Sequence, residues 1–179
     1  MSNTGSSPSV GPLDRAWPEQ LAHGELRLLR EWLDFLRITA VNKLAGLTRT
    51  QAAATPWPTS PYMSILGVLK HLTAVERFWI SIVGGGATLP MLWETDDVNA
   101  EWRLSEHDTP AAVTEAYRAE WTLSGRALDG RQADDLAARP VHDEQRTVRW
   151  ILTHVVQETA RHVGHLDVLR ERADGSVGE

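Results

Sequence analysis

The sequence predicts an all-α fold, a four-helix bundle with a long crossover connection. Three observations predict it. Apolar residues recur at intervals of three and four in four separate stretches, the period that puts them on one face of a helix. Pro56, Pro58, Pro61 and the Gly84-Gly85-Gly86 run fall at or beyond the ends of those stretches, so the breaks coincide with gaps in the periodicity. No series of segments alternates apolar and polar residues in the manner of strands.

Composition bounds the rest. A chain of 179 residues that is 42% hydrophobic suits one domain with a sizeable core. Cysteine is absent, which removes disulfides, thiolate ligands and a cysteine nucleophile together. A formal net charge of -6 without a basic run argues against nucleic acid or an anionic membrane as partner. No apolar run reaches the roughly 18 residues that span a bilayer, and the first eight residues lack a positive and an apolar leader region. A soluble cytoplasmic protein is expected. Lys43 and Lys70 are the only lysines among 18 basic side chains.

Residues 1–18 are rich in Ser, Gly and Pro and read as a flexible tail, with the domain over 19–174 and a C-terminal tail over 175–179. From about Glu25, a first helix carries Leu26, Leu29, Leu33, Leu36, Ala40, Leu44 and Leu47, with Trp32 and Phe35 widening its buried face. Pro56 and Pro58 bar its continuation. Ser60-Pro61 reads as N-cap and first position of a second helix bearing Ile65, Leu69, Leu72, Val75, Trp79 and Ile82, with His71 beside that seam.

Residues 87–108, with Trp93, Trp102 and the acids Glu94, Asp96, Asp97, Glu101 and Glu106, are long for a connection. The tryptophans are expected to pack this loop onto the bundle. Thr109-Pro110 caps a third helix through Val113, Tyr117, Trp121, Ser124 and Leu128. Residues 129–146 are polar, without a clear period, and read as the crossover. A fourth helix runs from about Thr147 to Ala173, with Val148, Leu152, Val155, Thr159, Val163 and Leu166 as its core stripe.

That fourth helix carries the chemistry. His154, Glu158, His162 and His165 fall within an arc of about 80° on a helical wheel, bordering the core stripe. Glu158 and His162 are four residues apart, so both can reach one divalent ion. A third ligand must come from another helix, and His71 is the only histidine well inside one; His23 precedes the first helix, and His107 and His142 lie in polar loops. His154 and His165 could instead complete a different triad with His162. Otherwise they serve as donors around the ligands or as substrate contacts.

The string Glu158-Thr159-Ala160-Arg161-His162-Val163-Gly164-His165 resembles the helix-four signature of the DinB/YfiT-like superfamily. Leu69-Lys70-His71-Leu72 followed by Glu76-Arg77-Phe78-Trp79 is similar to its helix-two ligand region. With Ser64-Ile65-Leu66-Gly67, Leu92-Trp93 and Arg149-Trp150-Ile151-Leu152, the resemblance covers about residues 24–173 and is closest to the mini-circle protein branch. It implies a DinB-like bundle and a metal held by His71, Glu158 and His162. Glu158 stands where many relatives have histidine, as in mycothiol-dependent maleylpyruvate isomerase, and His165 where many have glutamine.

By analogy with superfamily members that use mycothiol or bacillithiol, the resemblance implies a transferase or isomerase that takes a low-molecular-weight thiol as cosubstrate. Zinc is the expected metal, with nickel second. The substrates are then a small-molecule thiol and an electrophile, and His165 or His154 moves a proton. A metal-binding stress or regulatory module without turnover is the alternative, and a purely structural metal a third. A homodimer through helix faces or the tryptophan-bearing loop is expected.

Overall fold

The computed structural model describes residues 10–21, 23–93 and 96–178. Residues 1–9 of the expected N-terminal tail, and Glu94 and Thr95 in the long connection, lie outside them. The chain is all-α, as expected. Its helices are α1 (Glu25–Asn42), α2 (Arg49–Ala52), α3 (Ile65–Glu76), α4 (Pro110–Ala127) and α5 (Val148–Asp174). A π-helical segment, Arg77–Gly84, continues α3, and a 3-10 turn covers Ala100–Trp102. Among the described residues the only β pairings are two isolated bridges, Leu136 with Thr147 and Val141 with Glu144.

The two core clusters fix the direction of each long helix. One joins Ala40 and Val41 at the end of α1, Ile65 to Leu72 at the start of α3, Val113 and Tyr117 at the start of α4, and Leu166 and Leu169 near the end of α5. The other joins Leu33 of α1, Ile80 and Val83 of the π-helical segment, Leu128 after α4, and Val148 to Val155 at the start of α5. Thus α1 and α5 run one way while α3 and α4 run the other. Parallel neighbours need a connection that travels the length of the bundle. The crossover is therefore the segment between Gly84 and Pro110, not residues 129–146 as the sequence reading had it. The latter stay at one end of the molecule, where Ala138 N–H donates to the Gly84 carbonyl at 3.2 Å.

Three further expectations change. The second helix starts at Ser64, whose hydroxyl accepts from Gly67 N–H at 3.0 Å; Ser60-Pro61 instead belongs to a preceding turn. Beyond Glu76 the helix widens to the π repeat, which leaves Trp79 partly buried at the edge of the core and puts Ile80 and Val83 in it beside Ile82. Trp32 stays 38% exposed and meets Phe35 edge-on, so Phe35 alone of that pair is buried in α1. The helix cap at Thr109 forms as expected, and Thr147, the approximate start expected for the fourth helix, caps α5 through Trp150 N–H.

The interior also holds charges that periodicity did not reveal. Arg37 of α1 donates to both carboxylate oxygens of Glu76, at 2.8 and 2.5 Å, and to the Ser124 hydroxyl of α4 at 2.9 Å. Burial opposes its charge, but the Glu76 carboxylate overrides that and raises its pKa. Arg77 and Glu120 form a second buried pair at 2.7 Å, with Ser81 donating to the other Glu120 oxygen. These pairs tie α1, α3 and α4 together beside a cavity of about 720 Å³ between α1 and α4. Residues 10–17 lie along α1: Leu13 exchanges backbone hydrogen bonds with the Asn42 side chain, and Trp17 packs on Phe35.

Glu76→Ala strands the buried Arg37 charge and is expected to lower stability by about 3–5 kcal/mol in urea denaturation. An Arg37→Met, Glu76→Leu double variant, which removes both charges at similar volume, is expected to recover most of that loss.

Candidate metal centre

The seam between α3 and α5 brings three of the predicted residues together. Single donor atoms of His71, Glu158 and His162 lie within 4.8 Å of one another. His162 Nε2 is 3.1 Å from Glu158 Oε1, and His71 Nε2 is 3.4 Å from the same oxygen. Two donors each about 2.1 Å from one ion stand about 3.0 Å apart at a right angle and about 3.4 Å apart at the tetrahedral angle. The two nitrogen–oxygen separations match those values. His162 is 3% exposed, whereas Glu158 and His71 are half-buried, so the group opens outward from a dry floor.

The crossover completes the surroundings of His71. Glu101 Oε1 lies 2.8 Å from His71 Nδ1, and the Trp102 ring stacks on the imidazole at 4.1 Å and 16°. Two features of α3 dock this stretch. The buried Lys70 ammonium donates to the Arg103 carbonyl at 2.5 Å and to Asp108 at 2.9 Å. Gly67 lets the backbone approach, since a Cβ there would meet Tyr62 O at 2.7 Å and Trp102 O at 3.2 Å. The connection's tryptophans therefore pack as expected, Trp102 against the core and Trp93 beneath Lys70 Nζ at 5.0 Å.

Hydrogen bonding shows what the group lacks. An ionised carboxylate only accepts, so His71 Nδ1–H donates to Glu101 and leaves the Nε2 lone pair facing Glu158 Oε1. Two lone pairs in opposition call for a proton or a cation between them. The donor set of two imidazoles and one carboxylate therefore fits a divalent ion. Burial works against the Glu158 charge, yet a proton between it and His71, with nearby His162 and Arg161, holds its pKa below the usual carboxylate range. Burial, and then the neighbouring His71, push His162 down to about 4, so its imidazole is neutral at pH 7 and its lone pair is available.

The other two predicted residues take separate places. His165 Nδ1 is 3.3 Å from His162 Nδ1. It touches the triad from the side away from Glu158. His154 instead stacks on Trp150 at 5.2 Å and meets Trp79 edge-on at 4.8 Å. Desolvation lowers its pKa, and Arg146 adds to that. His107 is exposed and His142 sits in a tight turn at positive φ, 51°, away from the seam.

The mycothiol-S-transferase family model matches residues 28–175. The chain belongs to that family. The family lies within the DinB/YfiT-like superfamily, in agreement with the resemblance carried by the helix-two and helix-four strings. A search of curated proteins found no match. Family membership makes the protein a thiol-related transferase by kinship, and the His71–Glu158–His162 cluster is its candidate metal site.

Glu101 is the neighbour of His71 that the sequence does not single out. It is one of six acids in a long connection, and no spacing rule links it to His71, thirty positions away. The length of that connection was the available signal.

The His162 environment sets a pH dependence. Between pH about 6.5 and about 4 the unfolded chain takes up a proton that the folded imidazole refuses, so stability falls as pH falls through that window. The contribution is on the order of 3 kcal/mol at its lower end. His162→Gln in metal-free protein is expected to flatten that slope, as read by urea denaturation at both ends of the window. An unchanged slope would overturn the assignment.

Proposed function

We propose that this protein is a metal-dependent S-transferase that joins a low-molecular-weight thiol, of the mycothiol type, to an electrophile. The observation that carries the reading is the convergence of His71 Nε2 and His162 Nε2 on one oxygen of Glu158, in a chain of this family. His71, Glu158 and His162 hold the ion, zinc first and nickel second. Bound there, a divalent ion supplies Lewis acidity that lowers a thiol's pKa. The chain has no cysteine, so the reacting sulfur belongs to a substrate.

The chain's own residues do the rest. Glu101 accepts from His71 Nδ1 and fixes the tautomer that presents Nε2 to the site. Trp102 covers the face of that ring. His165, outside the triad and in contact with it, receives the thiol proton. The sulfur then forms a bond to carbon as the electrophile's leaving group departs with its electron pair. His154 is held between two indoles and serves as a wall of the seam rather than as the proton carrier.

Metal analysis of the purified protein is expected to find one divalent ion per chain, lost in His162→Ala. Equal metal in both proteins would sink the site. Glu101→Ala is expected to weaken metal binding by about tenfold to a hundredfold in chelator competition, with Glu101→Asp recovering part of it. Thiol consumption across a panel of electrophiles by the metal-loaded protein tests turnover. Tight metal binding without thiol binding or consumption would turn the reading into a metal-binding module.

A further inference from the structure

A groove of about 360 Å³ adjoins the candidate metal centre, lined by Trp57, Thr59, Ser60, Met63, His165 and Val168. Its position is set by one side chain. His165 lines the groove and also touches His162, with ring centroids 5.1 Å apart. An occupant would therefore sit one imidazole away from the triad. The segment carrying Trp57 to Met63 is the turn before α3, and Trp57 and Met63 pack on the core cluster that Leu166 and Leu169 of α5 join.

The lining decides what fits. None of the six residues carries a full charge at neutral pH unless His165 is protonated, and Trp57, Met63 and Val168 present an apolar surface. Val168 is 50% exposed, an apolar side chain on the outer face of α5 with no cover of its own. A polar thiol would lose its hydration here with few groups to replace it, at a cost that an apolar group does not incur. Thr59 and Ser60 offer only a small polar rim. The volume is at the lower end of small-molecule sites, enough for one ring with its substituents. The opposite end of the seam holds a groove of about 340 Å³ beside His154, but Arg149, Thr147, Thr153 and Gln157 line it, a polar and charged wall that suits an apolar group less well.

We propose that this groove seats the electrophile, selecting one with an uncharged aryl or alkyl group, while the thiol's polar body stays outside it. The proposal rests on the transferase reading for the occupant's role. The groove and its apolar preference are tested without turnover.

The chain has three methionines, and of these Met63 lines the groove while Met91 lies in the long connection. In metal-loaded protein carrying methyl-labelled methionine, nitrobenzene titrated as an unreactive probe is expected to shift the Met63 methyl resonance saturably and leave Met91 in place. Val168→Trp, a change at a half-exposed position that fills the groove, is expected to abolish the shift. With thiol present, the same variant is expected to lower the ratio of kcat/KM for a nitrobenzyl halide over that for iodoacetamide by about tenfold.

A Met63 resonance that ignores the probe overturns the proposal, even where thiol transfer proceeds. So does a Met63 shift that grows with protein concentration in the absence of probe, which would assign the face to a second copy of the chain. A saturable Met63 shift lost in Val168→Trp, without consumption of any thiol, upholds the groove and sinks the transferase reading. A selectivity ratio unmoved by Val168→Trp overturns the electrophile assignment.

Discussion

The buried ammonium of Lys70 is the interaction on which the candidate site depends. A lysine ammonium this deep in a helix face needs acceptors in place of water, and the Arg103 carbonyl and Asp108 supply them. Both acceptors lie in the crossover. Satisfying one cation thus pins a long connection against α3, and the 3-10 turn just before it arrives over His71. Glu101 and Trp102 then set the orientation of that imidazole. Lys43, the other lysine, is buried in the same manner, paired with Asp167 and bonded to the Gly178 carbonyl. The scarcity of lysine in this chain fits the specialised positions of the two that remain.

The parallel run of α3 and α4 is what requires that connection. Two antiparallel neighbours could be joined by a short turn, whereas this pair needs chain enough to return along the bundle. The return path is put to use as the outer wall of the metal centre. On the inner side, Arg37 with Glu76 and Arg77 with Glu120 hold α1, α3 and α4 in register. Glu76 sits where α3 passes into the π repeat, and that widening turns Trp79 toward His154. The seam consequently has two unlike ends: aromatic packing beside a polar groove at His154, and an apolar groove at His165.

The metal cluster and its flanking imidazoles divide by environment. Glu158 is held ionised and His162 neutral, the states in which both can act as ligands. His154 and His165 lie on the same stripe of α5, and a helical wheel gives no reason to treat them differently. Their neighbours separate them. One sits between Trp79 and Trp150 beside a groove that Arg149 and Gln157 also line, the other faces the apolar groove next to the triad.

The sequence by itself determined the helices, the cap at Thr109, and the i, i+4 pair Glu158 and His162, because these are properties of local spacing along one helix. It also marked His71 by elimination among the histidines, and the family by two short strings. Tertiary structure alone decided which connection is the crossover, since the direction of a helix depends on which ends share a core. It also decided that the helix cap falls at Ser64 rather than Ser60, and that α3 widens beyond Glu76 around its buried charges. Glu101 belongs to the same class: its contact with His71 exists only because a buried lysine far from it in the site's chemistry, though adjacent to His71 in sequence, needed acceptors from the returning chain.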